Sequence, residues 1–135
     1  MKISDLPKLE SEAVDYTFIY GTDIYETRVH FLSYETEENL YAIIKLEALD
    51  TSTVLIDEFA VYEGVEYSDK EEALVRPGIY NVENSTLINN RDNIHFIFAS
   101  NDGSIEIICS SYELVKTMKS TNSMNAFVEY KNGTV

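Results

Sequence analysis

Few residues of this 135-residue chain could carry chemistry. The reactive inventory is His30, His95, Cys109 and a surplus of carboxylates. An imidazole works as a metal ligand or general base only beside a partner, and neither histidine has a second His or Cys at a ligand spacing. Both fall inside stretches read as strands, which makes them structural residues. Cys109 ends an apolar run with no motif around it and is read as core. No P-loop, dinucleotide fingerprint, nucleophile elbow or calcium loop occurs. The reading is of a non-enzymatic chain with no catalytic residues, no metal and no cofactor.

The carboxylates must then be weighed as a surface. Asp57 and Glu58 are adjacent on a predicted strand, so they aim at opposite faces and make no acid/base pair. Glu35, Glu37 and Glu38 fall in a polar turn where water keeps them ionised. Glu63, Glu66, Asp69, Glu71 and Glu72 have no cation-loop spacing and are read as a solvated loop and helix start, where acids favour the helix dipole. Tyrosines interleave with these acids: Tyr34 before Glu35, and Tyr62 and Tyr67 among Glu63, Glu66 and Asp69. Tyrosine supplies rigid amphipathic contact area and carboxylates supply a field that attracts Lys and Arg, a mixture suited to binding a basic protein.

Charge strengthens that reading. Residues 1–75 hold 18 Asp+Glu against 5 Lys+Arg, a balance of −13, and residues 76–135 hold 6 against 5, a balance of −1. Such a field repels nucleic acid and anionic membrane, which argues against either as a direct partner. A lone cysteine cannot form an internal disulfide, the Met1 end lacks a secretory apolar stretch, and no apolar run approaches the roughly 20 residues needed to span a bilayer. A cytoplasmic setting is the expectation, in which Asn84-Ser85-Thr86 and Asn132-Gly133-Thr134 are chance turn sequences and not glycosylation sites.

The elements that must position these residues are mostly strands. After an opening SDLPKLESEAVD compatible with a short helix, YTFIYG and YETRVHFLSY read as strands and ETEEN as a polar break. LYAIIKLEAL places Leu40, Ala42, Ile44, Leu46 and Ala48 on one face, with a helix as the alternative, and is expected to form a hairpin with VLIDEFAVYEGVEY. Ser68 with Glu71 has capping-box spacing, predicting a short helix over Asp69 to Val75 that Pro77 and Gly78 stop. A short strand follows near Ile79 to Val82. NIHFIFASNDGSIEIIC reads as a β-hairpin whose Ile94, Phe96 and Phe98 share the core face with Ile105, Ile107 and Cys109. Ser110 and Glu113 repeat the capping-box spacing and predict a helix over Ser111 to Ser120, with a last strand over Ala126 to Tyr130.

The fold class expected is α+β: one domain over residues 1–135, built on an antiparallel, meander-like sheet of about five to seven strands, with a C-terminal helix on one face and a short helix in a connection. The function expected is that of a small acidic cytoplasmic protein that neutralises a basic partner. A bacterial immunity protein covering a toxin, with a nuclease as the fitting case, is the natural setting. A second class is a structural or regulatory subunit, or a homodimer, whose sheet edges pair with a neighbour or a second copy. A third, a small-molecule or hydrolytic site, requires His30 or His95 to meet a carboxylate in a closed pocket.

Overall fold

The computed structural model describes residues 2–3, 5–9, 15–19, 29–47, 55–57, 78–83, 85, 93–100 and 103–133. These form strands β1 (Lys2–Ile3), β2 (Tyr16–Ile19), β3 (Val29–Glu37), β4 (Leu40–Glu47), β5 (Leu55–Asp57), β6 (Gly78–Asn81), β7 (Ile94–Ser100), β8 (Gly103–Cys109) and β9 (Ser111–Lys119), followed by helix α1 (Ser123–Gly133). The α+β class holds, with antiparallel pairing throughout. The expected single sheet is in fact two, of order β2-β3-β4-β9 and β1-β6-β7-β8-β5.

The sheets share one core. Leu32, Tyr34, Ala42, Ile44 and Leu46 from the four-stranded sheet meet Ile79, Phe96, Phe98, Ile105, Ile107 and Cys109 from the five-stranded one. Phe98 is its aromatic hub: the Tyr16 and Tyr34 rings each stand edge-on to it at 5.2 Å, a favoured arrangement of ring quadrupoles. Helix α1 covers the other face of the four-stranded sheet, where Ala126 and Phe127 pack on Phe31, Tyr41 and Ile43. Strand β4 is thus a middle layer, buried on both faces, which is why LYAIIKL reads as a nearly unbroken apolar run.

The hairpin expected over residues 93–109 is present as β7–β8, with Ile94 opposite Cys109 and the inward residues as anticipated. Its connection at Asn101 and Asp102 lies outside the described residues. Several other expectations are corrected. The polar stretch ETEEN does not end β3: Glu35, Thr36 and Glu37 stay in the strand, and Thr36 is the extra residue of a bulge. Only Glu38 and Asn39 turn the chain, with Asn39 at φ 61°, a left-handed conformation that Asn tolerates. β4 forms its hairpin with β3, while β5 pairs with β8 in the other sheet, so the expected pairing of residues 40–48 with the following run does not occur. β1 precedes the opening segment compatible with a short helix; within that segment residues 5–9 are irregular with Leu6 buried, and residues 10–14 lie outside the described residues. The helix expected over Asp69 to Val75 lies outside the described residues.

The C-terminal elements exchange character. Residues 111–119, expected as a helix, form β9, whose pairing with β4 runs from Leu40 opposite Lys119 to Glu47 opposite Ser111. A bulge explains the helix-like spacing: Leu114 is opposite Ile44 and Lys116 opposite Ile43, so Val115 is the extra residue. The slip lets Val115 and Met118, three apart, pack on the same helix-covered face, while Leu114 is left 41% exposed. Residues 126–130, expected as a strand, lie inside α1. Asn122 caps it by accepting from the Asn125 N–H at 2.8 Å, and Ala126, Phe127 and Tyr130 form one stripe against the sheet. Lys131, in the last turn where a cation suits the helix dipole, sits 5.3 Å from the Phe31 ring centre.

Candidate functional site

Of the residues expected to form an acid and tyrosine surface, Glu35, Glu37 and Glu38 lie at one end of the four-stranded sheet. The β3 bulge between Glu35 and Glu37 and the two-residue turn at Glu38 and Asn39 set their positions. Glu35 is fixed: its Oε2 accepts from the Asn39 N–H at 3.3 Å and from the Tyr41 hydroxyl at 3.2 Å. Glu37 and Glu38 are exposed, and no described Lys or Arg forms an ion pair with them. Tyr34 is not part of this surface. It is fully buried, its ring belongs to the core and its hydroxyl donates to the Pro7 carbonyl at 2.9 Å. Asp57 is on β5, an edge strand of the other sheet, opposite Ser104. Glu58, Tyr62, Glu63, Glu66, Tyr67, Asp69, Glu71 and Glu72 lie outside the described residues.

Sequence reasoning missed Asp15, which joins this end of the molecule. Its backbone carbonyl accepts from the Glu35 N–H at 2.8 Å, extending the β2–β3 pairing, and its carboxylate comes within 3.4 Å of the Tyr41 hydroxyl. No local signal marks Asp15, because its position depends on the strand register. Burial first, and then Glu35 and Asp15, push the Tyr41 hydroxyl well above the ordinary tyrosine range, so it remains a donor.

A second constellation lies in the five-stranded sheet, on the face turned away from the shared core. Pairing of His95 with Ile108 and of Ile97 with Glu106 puts the Glu106 carboxylate diagonally across from the His95 ring. His95 Nε2 is 2.7 Å from Glu106 Oε1, and both side chains are sealed, at 0% and 1% exposure. The other ring nitrogen, Nδ1, is 2.5 Å from Ser85 Oγ, and Ser85 is only half-buried. One tautomer accounts for both contacts: Nε2–H donates to Glu106 Oε1, and Nδ1 accepts the Ser85 hydroxyl. Glu106 Oε2 is buried and finds no hydrogen-bond donor among the described residues, which costs about 1–3 kcal/mol. The sequence placed His95 in a strand and left it without a partner. Its carboxylate follows only from register, and its serine from a contact made beyond the end of β6, where the Val82 N–H donates to the His95 carbonyl at 2.8 Å.

Cys109 is buried as expected, and burial pushes its thiol up to about 12, so it is no nucleophile. Between α1 and β9 runs an open cleft of about 300 Å³ lined by Val115, Lys116, Met118, Glu129, Tyr130 and Gly133. Among the described residues no group of three or more His, Cys, Asp or Glu is placed to hold a metal ion, and no helix is long and apolar enough to cross a membrane. Comparison with protein-family models, curated proteins and solved structures finds no match.

Proposed function

We propose that this chain is a small acidic cytoplasmic protein that binds and neutralises a basic protein, as a bacterial immunity protein does its toxin, with a nuclease as the fitting target. The observation that carries the reading is the uncompensated acidic tip of the β3–β4 hairpin: Glu37 and Glu38 are exposed and unpaired among the described residues, beside a Glu35 held in place by Asn39 and Tyr41. Carboxylates on a rigid hairpin lose little freedom on meeting Lys or Arg, and a chain of net charge −14 accelerates that encounter.

The test is a pull-down from the native cytoplasm at low and moderate salt, with the wild-type chain and the E37K/E38K variant as baits. The expected result is one basic protein held by the wild type, released by salt, and bound roughly tenfold or more weakly by the variant. Retention of the same protein regardless of salt and of E37K/E38K, or of no basic protein at all, overturns the reading.

A second reading, a structural subunit or a homo-oligomer, is favoured by β9. It is nine residues long, its outer edge has no partner strand among the described residues, and Leu114 on it is 41% exposed. Sedimentation of the bait alone as a salt-resistant oligomer would move the weight to this reading.

A further inference from the structure

Independently of partner binding, we propose that Ser85 is an activated nucleophile with His95 as its general base and Glu106 as the residue that positions that base, and that this site takes the acyl group of a small, uncharged ester. The three groups meet the geometric requirement of such a relay. The nucleophile is 2.5 Å from the base, and the base is 2.7 Å from a carboxylate on its opposite nitrogen. Either imidazole nitrogen can receive the proton; here the lone pair that faces the serine is on Nδ1.

Burial is graded as the chemistry requires. Ser85 is half-buried, whereas His95 and Glu106 lie in a sealed layer, where hydrogen bonds act with little screening by water. A carboxylate kept only for structure would have both oxygens satisfied, and a buried ionic pair is commonly replaceable by apolar residues without loss of stability. Glu106 instead leaves Oε2 without a donor among the described residues, while its Oε1 holds the Nε2–H side of the imidazole that takes the Ser85 proton. A buried carboxylate oxygen left without a donor calls for an explanation, and a catalytic role is one.

The surroundings limit the substrate. Tyr80, Val82, Ile97 and Ile108 share this face of the sheet with His95 and are all buried, and the whole chain carries −14. The net charge disfavours anionic acyl groups, and the apolar side chains around His95 favour a neutral one. In the reaction, the Ser85 hydroxyl gives its proton to His95 Nδ1 while Oγ bonds to the ester carbonyl carbon. The carbon–alkoxy bond then breaks, and the alkoxide leaves with the proton from Nδ1. Water repeats the sequence on acyl-Ser85: its proton goes to Nδ1, its oxygen bonds to the carbonyl carbon, and Ser85 Oγ departs and recovers a proton. The products are a carboxylic acid and an alcohol, and nothing is oxidised or reduced.

Two measurements on the full folded chain test this. An alkyl fluorophosphonate should form one adduct, mapped to Ser85, that is absent in S85A. Labelling should be about tenfold slower or worse in E106Q and partly restored in E106D, with near-ultraviolet dichroism showing each variant folded. A merely structural Glu106 would not move the labelling rate in a folded E106Q. The second measurement does not depend on how the site holds a tetrahedral centre: S85C should react with iodoacetamide roughly tenfold faster than T121C, an exposed control position, because His95 would draw off the thiol proton. Cys109, buried and with its thiol pushed up to about 12, does not obscure the comparison. The proposal is overturned if S85C reacts no faster than T121C, or if fluorophosphonate leaves Ser85 of the folded wild type unmodified.

Discussion

The Asp15 carboxylate accepts both the backbone N–H and the hydroxyl of Ser123, at 2.8 and 3.0 Å, across 108 positions of sequence. Ser123 opens α1, so a residue beside the first strand of the four-stranded sheet fixes the start of the helix that covers it. The Ser33 hydroxyl adds a third tie by donating to the Ser123 carbonyl at 2.8 Å. Substituting D15A removes a negatively charged partner from a helix N-terminus and should lower unfolding free energy by about 1–2 kcal/mol in urea titrations. An unchanged midpoint would mean that the helix start is held by Asn122, Ser33 and Thr17, whose hydroxyl is 2.6 Å from that of Ser123.

At the β3–β4 turn, Asn39 has a φ of 61°. N39A should cost about 1 kcal/mol because alanine resists the left-handed region, whereas N39G should be close to neutral. Thermal unfolding of the two variants side by side checks the contrast; equal losses would assign the role of Asn39 to its side chain.

Phe98 touches Tyr16 and Tyr34 at the centre of the shared core. F98A is expected to cost about 3–5 kcal/mol, and F98L much less because most of the volume is retained. Guanidinium titration reads both, and a loss under 1 kcal/mol for F98A would show that the two sheets can collapse around the gap.

Alkali should unfold the protein through its buried hydroxyls. Burial holds Tyr34 protonated well above the ordinary range, and burial together with Glu35 and Asp15 does so for Tyr41. Folded values above the unfolded value near 10 mean that the stability these groups contribute is complete below pH of about 10 and is withdrawn as pH rises beyond it. Cys109, pushed up to about 12 by burial, acts with the same sign. Urea midpoints measured between pH 8 and 12 should therefore fall with increasing steepness above about pH 9–10, and Y34F should flatten the decline. Full tyrosinate absorbance from all ten tyrosines with native dichroism intact at pH of about 11 would contradict this.

What could be read in the sequence depended on how far apart the interacting residues are. The β7–β8 hairpin was legible because its alternation and its turn lie within 16 residues, Ile94 to Cys109. The helix and the strand after it were interchanged because Ser110 and Glu113 imitate a capping box and the Val115 bulge imitates helical spacing. Eight paired positions along β4 decide for the strand, and β4 is some 70 positions earlier in the chain. The acidic turn was legible as composition, although Tyr34 was assigned to the surface because a tyrosine beside acids looks the same in sequence whether it points in or out. The meeting of His95 with Glu106 depends on cross-strand register, and its link to Ser85 on where that serine lies relative to β7, neither of which leaves a trace in residue spacing.

The two-sided burial of β4 has a consequence for the order in which the chain emerges from a ribosome. β3 and β4 can zip together as soon as residue 47 is available, yet the apolar residues Phe31, Tyr41 and Ile43 then face water until residues 111–133 have been made to cover them. A nascent chain halted before α1 would present a β-rich apolar surface, prone to sticking to its neighbours and attractive to a chaperone.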